Sequence, residues 1–417
     1  MLLRVSSLPT VLVILAWASP QVCAQEAEPS SDATPKPAER AIGVLFTEED
    51  LLEFIEYTKF AFDDAGFPGL AMATVQGDGK MSVSAMGVRD LEGAQKVTHD
   101  TRFAVGEVSG AVTSLLGAVS THEGEIDWDD RLQSTGNAAF RLDDSRQAPV
   151  TLRNVFSQTG GLSTHLDAVI NAPGHDMADL AALLQQTQLT DAPERRYQRS
   201  RAGLAAGGYA IALQRAGGVR CKTPHEVFQL QLREAVLVPL GMQGAAFSRL
   251  ELIQTKDFAI GHDLTSDGGW AVSESYEADT VALLPAQGLR ACIIDVAVWL
   301  SCEVRHGLSV YGFEVVPPRA ITDRWQPVLR TLGTQPALGW QRDYVGGLPV
   351  LISTGSIDRQ SALVAILPEQ QTALAVLTNV PGEVSASLFR DLLITFCETT
   401  ARAEQRADTT LPQATTP

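Results

Sequence analysis

The alternation of apolar and polar residues predicts strands near both ends of the chain. Residues 70–76 alternate loosely, a Gly-Asp-Gly turn follows at 77–79, and the alternation resumes over 81–86, which together predict a β-hairpin. A second pair of apolar segments, 361–367 and 372–378, flanks a polar turn. We therefore expect two hairpins, one from each end of the chain.

Helical periodicity occupies the segments between and beyond these strands. Thr47, followed by two glutamates, is typical of a helix N-cap, and apolar residues then recur at near-helical spacing. Residues 385–398 predict a closing helix, and 102–280 is richer in helix signals than in strand signals. Strands at both ends and a helical middle predict an α+β fold, in which helices flank an antiparallel sheet and a helical lobe is inserted over about 102–280.

The composition is that of a globular protein with polar ends. The 417 residues are enough for one large core or two lobes, and 45% of them are hydrophobic. Residues 25–41 are rich in Pro, Ser, Ala and Glu, and 401–417 contain few large apolar residues. These segments predict a disordered linker and a disordered tail, which leaves 42–400 as the folded body.

The first 24 residues have the pattern of a signal peptide. Arg4 supplies a positive charge, the apolar run 8–18 is too short to span a bilayer, and the residues before Ala24 are small or modest in size. Cleavage near Ala24 would give a periplasmic or secreted protein with no integral membrane span. A lipid anchor on Cys23 is the alternative, although the residues before it are a poor context for lipid attachment.

Charge and metal-ligating residues exclude several classes of function. The net charge of −17 repels phosphate, so we expect no nucleic-acid partner. The seven histidines lack the spacing of metal ligands, and the sequence predicts neither a metal site nor a cofactor. The oligomeric state is not determined by the sequence.

Signal-peptide cleavage would leave four cysteines, Cys221, Cys292, Cys302 and Cys397, in a compartment that permits disulfides. If 294–304 is a helix, Cys292 and Cys302 lie roughly 15 Å apart, too far to pair. We interpret the cysteines as small buried apolar residues, and the pairing of the set as a whole stays open.

Short sequence blocks follow one another in a characteristic order along about 50–400. They are FPGLA at 67–71, GVRD at 87–90, TRFAVG at 101–106, GEIDWDD at 124–130, TLRNVF at 151–156, TGGL at 159–162, PLGM at 239–242, LGW at 338–340 and LTN at 377–379. Their order resembles the class C β-lactamase and D,D-peptidase branch of the serine β-lactamase and penicillin-binding-protein superfamily. The resemblance implies a β-lactamase/transpeptidase-like fold and a serine-hydrolase site.

The first catalytic motif implied by this resemblance is altered. Active members carry Ser-x-x-Lys at the start of a helix, where the serine attacks a carbonyl and the lysine takes its proton. Here the matching positions hold Glu107 and Gly110, and no lysine in the chain has a serine three residues before it. Ser109 and Ser114 lie nearby without such a partner, and we interpret them as structural.

The second and third motifs are altered as well. The family's Tyr-x-Asn corresponds to Arg199-Ser200-Arg201, and arginine stays protonated near neutral pH; in a shifted register Tyr197 would be the tyrosine. The family's Lys-Thr-Gly or His-Thr-Gly corresponds to Ser353-Thr354-Gly355, which lacks the cation.

These substitutions predict a charged pair inside the cleft. Glu107 would lie at a helix N-terminus, which favours a carboxylate, with Arg199 and Arg201 on the opposite wall. We expect Glu107 to pair with one or both arginines and partly close the site; in the alternative the arginines point to solvent. The binding-cleft candidates are Glu107, Arg199, Arg201, Ser353, Thr354 and Gly355.

Two functions follow from these losses. The first is a catalytically inactive pseudoenzyme with a binding or regulatory role at the cell envelope, where a cell-wall peptide or an envelope protein is the candidate partner. The second is a working esterase, peptidase or β-lactamase that uses a non-standard site, with Glu107 as a base for water. An adjacent arginine favours the ionised, less basic carboxylate, which weakens the second hypothesis.

Overall fold

The computed structural model describes residues 45–136, 138–142, 149–217, 222–274, 280–330 and 333–410, together with the backbone of 12–14. The predicted linker 25–41, the proposed cleavage site, Cys23 and Cys221 lie outside the described residues.

One large antiparallel sheet crosses the molecule. Its strands follow the order β1-β3-β2-β13-β12-β11-β10-β9, and β4 pairs with β3 beside this path. In chain order they are β1 (Leu12–Ile14), β2 (Gly69–Gln76), β3 (Met81–Asp90), β4 (Gln95–Lys96), β9 (Gln335–Pro336), β10 (Gln341–Val345), β11 (Leu348–Ile357), β12 (Gln360–Leu367) and β13 (Thr372–Thr378). Two small sheets pair β5 (Phe103–Ala104) with β8 (Arg290–Ala291) and β6 (His262–Leu264) with β7 (Trp270–Val272).

Helices cover both faces of the sheet. They are α1 (Glu48–Ala65), α2 (Val108–His122), α3 (Leu152–Phe156), α4 (His165–Ile170), α5 (Met177–Gln185), α6 (Arg201–Arg215), α7 (Pro224–Leu232), α8 (Val238–Leu240), α9 (Arg249–Thr255), α10 (Leu284–Gln287), α11 (Ile293–Val304), α12 (Pro318–Arg324) and α13 (Gly382–Thr410). A π-helical turn, Arg233–Leu237, joins α7 to α8.

Both predicted hairpins are confirmed. β2 pairs with β3, and β12 pairs with β13, each across the predicted turn. β13 also pairs with β2, so the two hairpins meet in the middle of the sheet. This pairing brings the two ends of the folded chain into one hydrophobic layer.

Helices α1 and α13 pack together on one face of the sheet. Thr47 caps α1 as predicted, in a reciprocal capping box with Asp50. The rings of Phe54 and Phe396 lie 5.7 Å apart between the two helices. The predicted closing helix is confirmed, but α13 continues to Thr410 through residues assigned to the tail. Burial of Ala403 and an ion pair between Arg406 and Asp50 hold this extension against α1.

The other face carries the helical part of the molecule, centred on α2. Nearly every residue of α2 is buried, because helices α6, α10 and α12 pack around it. Helices α10, α11 and α12 extend this part of the fold beyond residue 280. The guanidinium of Arg324 on α12 pairs with Glu303 on α11 at 2.9 Å, and both side chains are fully buried.

The three described cysteines are free and buried, as predicted for Cys292 and Cys302. Burial raises the pKa of Cys397 to about 12, so this thiol stays protonated. Among the described residues, no helix has the length and hydrophobicity needed to cross a membrane.

Candidate functional site

The start of α2 is pressed against β11. Gly106 takes a left-handed conformation with φ of 54°. A Cβ atom on Gly106 would lie 2.5 Å from the backbone nitrogen of Ser356, and one on Gly355 would lie 2.5 Å from the backbone nitrogen of Glu107. Only glycine tolerates both the conformation and this approach. The contact fixes Glu107 at the edge of β11.

Both carboxylate oxygens of Glu107 have partners. Oε1 forms an ion pair with the guanidinium of Arg199, and Oε2 accepts a hydrogen bond of 3.1 Å from the backbone N–H of Ser356. The Glu107 side chain is 10% exposed, whereas that of Arg199 is 53% exposed. The predicted charged pair is therefore confirmed. Its carboxylate is buried, and its guanidinium is about half exposed to solvent.

Arg201 is drawn away from Glu107 by other acceptors. Its Nε lies 3.9 Å from Glu107 Oε1 and 3.5 Å from Asp167 Oδ2, and its Nη1 donates to Gln287 Oε1 at 2.6 Å. Asp167 also accepts the backbone N–H groups of Arg201 and Ala202 at the start of α6. Burial raises the pKa of Asp167, and these N–H groups and the Arg201 charge oppose the rise.

A side chain on Gly110 would require the neighbouring Leu204 side chain to shift. A Cβ atom built on this residue would lie 2.6 Å from Cδ1 of Leu204, which is buried on α6. A side chain of α6 therefore lies where the side chain of the family's lysine would begin. The glycine permits close contact between α2 and α6.

The two serines of α2 hold the backbone together, in agreement with their predicted structural role. Ser109 Oγ donates to the Gly106 carbonyl at 2.6 Å and accepts from the Leu289 N–H at 3.0 Å. Ser114 Oγ donates to a backbone carbonyl of α2 and accepts from Arg324. Both hydroxyls are buried, so neither faces the cleft as a nucleophile would.

Tyr197 lines the same cleft but is held as a neutral phenol. Its hydroxyl accepts a hydrogen bond of 2.7 Å from Gln341 Nε2. Tyr197 is 37% exposed, and partial desolvation still raises the pKa of its phenol, which outweighs the lowering by the Gln341 hydrogen bond and by the Arg199 charge. A protonated phenol cannot accept a proton as a phenolate base would.

The cleft beside these residues is small, about 90 Å³. Ser353 and Thr354 of β11 line it together with Glu107 and Arg199, while Gly355 lies against the start of α2. Pockets for drug-sized ligands measure about 300–1,000 Å³. In the part of the chain that the structure describes, no cluster of His, Cys, Asp and Glu side chains could hold a metal ion.

Asp167, Gln287 and Leu204 belong to this site, although the sequence analysis did not identify them. Asp167 lies on α4, Gln287 ends α10 and Leu204 lies on α6. None belongs to a catalytic motif. The signal that could have found Leu204 is the glycine at position 110, because a glycine inside a buried helix indicates close approach of a neighbour.

Comparison with known proteins identifies the family of this chain. A family model described as Beta-lactamase matches residues 48–395. The octameric penicillin-binding protein homologue from Pyrococcus abyssi has a similar structure, with a TM-score of 0.65 and 18% identity over 81% of this chain and 76% of that one. SurE is similar with a TM-score of 0.67 and 19% identity, over 85% of this chain and 76% of that one.

At these identities the two structures establish the fold, which is the β-lactamase/transpeptidase-like fold that the sequence predicted. No curated protein matches the chain in sequence. Because the family model covers most of the folded body, the chain belongs to the β-lactamase family.

Proposed function

We propose that this member of the β-lactamase family has lost covalent serine catalysis and acts as a binding or regulatory protein at the cell envelope, outside the cytoplasm. The observation that carries the proposal is that both carboxylate oxygens of Glu107 have partners within the protein. Its carboxylate lies where the family's nucleophile is expected and is tied to Arg199 on one side and to the Ser356 N–H on the other.

Glu107 stands in place of the family's nucleophile, and its contacts occupy the groups around that position. A backbone N–H that faces the nucleophile position is the kind of donor that stabilises an oxyanion during acyl transfer. The Ser356 N–H is already bonded to Glu107. A tetrahedral intermediate at this point would have to displace the protein's own carboxylate.

The lysine and tyrosine that accept protons in the family are replaced too. Leu204 lies where the lysine side chain would begin, and the neighbouring arginines carry protons that they do not release near neutral pH. Loss of a nucleophile costs about 10⁶ in turnover in another hydrolase, and a positioned base contributes about 10²–10⁴. These effects do not add, but loss of the nucleophile alone is enough to abolish useful covalent turnover.

The competing hypothesis uses Glu107 as a base that activates water. It requires a carboxylate oxygen that faces the cleft without a partner, but Oε1 and Oε2 are both engaged. The ion pair with Arg199 would have to open before Glu107 could take a proton.

Intact-mass spectrometry and turnover assays test the proposal. The purified protein is incubated with a penicillin, and separately with a chromogenic cephalosporin and a nitrophenyl ester, beside the Glu107→Gln variant. We expect no added mass and equal background rates for both proteins. A mass increase equal to the drug, mapped to a peptide near Glu107, would overturn the proposal, and so would turnover that disappears in Glu107→Gln.

A further inference from the structure

We infer that Arg199 and the backbone N–H of Ser356 form a carboxylate-binding site, that Glu107 occupies it as an internal ligand, and that the cleft takes a monocarboxylate that displaces Glu107. The inference rests on the proposed function, because both concern the same cleft. It names the chemical class of ligand.

The donors of this site come from two separate elements and converge on one carboxylate. Arg199 precedes α6, and Ser356 belongs to β11. The Ser356 N–H cannot turn away, because glycines at 106 and 355 pack the strand against the start of α2. An arginine and a fixed N–H together bind carboxylates well, since hydrogen bonds with a charged partner are about twice as strong as neutral ones.

Arg199 and Arg201 differ in their charged partners. Arg201 is bonded to Gln287 and lies near the buried Asp167. Among the described residues, the ion pair of Arg199 is with Glu107. When the Glu107 carboxylate leaves, Arg199 therefore loses its counterion, whereas Arg201 keeps one. A ligand's carboxylate would take that place.

The rest of the cleft indicates what the ligand's body must be. Its polar walls are neutral, formed by Gln158, Tyr197, Gln341 and Thr354, and Trp340 adds an apolar surface. A second negative charge on the ligand would find no partner there. We therefore expect one carboxylate on a neutral, hydrogen-bonding body.

Glu107 competes with any such ligand from within the chain. A tethered group acts at an effective concentration that is about millimolar for a flexible link and higher for an oriented one. A simple acid such as acetate, which lacks further contacts, should not displace it. Removal of the Glu107 carboxylate should make the site available to acetate.

The experiment measures acetate binding to Glu107→Ala by thermal unfolding and calorimetry at fixed ionic strength. We expect a saturable, acetate-dependent rise in the unfolding midpoint of Glu107→Ala and none in the wild type. The matched control is Glu107→Ala combined with Arg199→Ala, for which we expect acetate affinity to fall by about tenfold or more. Acetamide, the neutral analogue, and phosphate are the comparison ligands.

Several outcomes would overturn the carboxylate site. They are the absence of an acetate effect, an equal effect of acetamide or phosphate, and an acetate effect that persists without Arg199. If Glu107→Ala does not fold in chloride, we expect acetate to restore its native circular dichroism, and failure of this rescue would count against the inference. Acylation of the wild type by a penicillin would refute the lost catalysis, whereas an acetate-insensitive Glu107→Ala would refute the carboxylate site alone.

Discussion

The Cβ position of Gly110 overlaps the end of the Leu204 side chain. The Cβ position of Gly110 is 2.6 Å from Leu204 Cδ1. Leu204, on α6, is buried against α2. The motif has therefore lost its lysine, and a side chain restored at position 110 would require Leu204 to shift. Replacement of one residue would not rebuild it.

We expect Gly110→Ala to lower the free energy of unfolding by about 1–3 kcal/mol, the usual effect of overpacking, although alanine favours helix by about 1 kcal/mol. Urea unfolding measures the change. In a Leu204→Ala background the same substitution should cost less, because the clash is relieved. If the two substitutions were additive, the contact would carry no strain.

Glu107→Gln should lower the free energy of unfolding by about 1–3 kcal/mol. This lies between the value for exposed pairs, about 0–1, and that for a broken buried pair, about 3–5, because Glu107 is buried while Arg199 is half exposed. Chemical denaturation of Asp129→Asn gives the control, since Asp129 forms an exposed ion pair with Arg153. If Glu107→Gln cost no more than Asp129→Asn, the cleft pair would be a surface pair in energetic terms.

The buried pair of Arg324 and Glu303 should be far more sensitive. Arg324 also donates to Ser114 Oγ and to the Ala111 carbonyl, so it joins α12 to the helix that carries Glu107. Arg324→Met leaves the Glu303 carboxylate buried without its guanidinium, and we expect a loss of about 3–5 kcal/mol in denaturant unfolding.

The double variant Arg324→Met with Glu303→Leu serves as the control for this pair. It removes both charges, and we expect it to be more stable than Arg324→Met alone. A double variant that is less stable would show that the remaining hydrogen bonds of Arg324 matter more than its charge partner.

Stability should fall in mild acid because of His262. Burial lowers the pKa of this imidazole below its ordinary 6.5. Its Nε2 accepts the Leu91 N–H at 3.3 Å, and its Nδ1 lies 3.2 Å from the Asn379 carbonyl, so the network places the proton on Nδ1. Between the lowered pKa and 6.5 the unfolded chain binds more protons than the folded one. The free energy of unfolding therefore decreases as the pH falls through this window.

Urea unfolding between about pH 5 and about pH 7 tests the effect against His262→Gln, in which residue 262 no longer titrates. The wild type should lose more stability than the variant over this interval. Parallel curves would mean that the protonated imidazole is tolerated in the folded state.

Local patterns were enough to predict the hairpins and the Thr47 cap, because strand alternation and capping depend on neighbouring residues. The pair of Glu107 and Arg199 was predicted only by placing both on the family's motifs. The contacts of Arg201 with Asp167 and Gln287 were missed, because these two residues lie 34 and 86 positions away from Arg201, on other helices.

Ion pairs between residues distant in sequence were also not predicted. A fully buried arginine such as Arg324 is rare, and nothing in the sequence around it indicates Glu303 as its partner. The extension of α13 was missed for a related reason. Its last turns are polar, and they are held by Ala403 and by the ion pair of Arg406 with Asp50, which involves the opposite end of the folded chain.

The junction of β2 with β13 determines when the large sheet can be completed. Thr378 Oγ1 donates to the Gly69 carbonyl across 309 residues of sequence. A chain that emerges from its N-terminus can pair β2 with β3 at once, but the other edge of β2 waits for β13 until nearly the whole polypeptide has been made. Such non-local pairing slows folding, and we expect a nascent chain truncated before residue 372 to remain open. Under the proposed localisation outside the cytoplasm, a chain whose central sheet stays incomplete until its synthesis is almost finished would suit an export machinery that threads unfolded polypeptides.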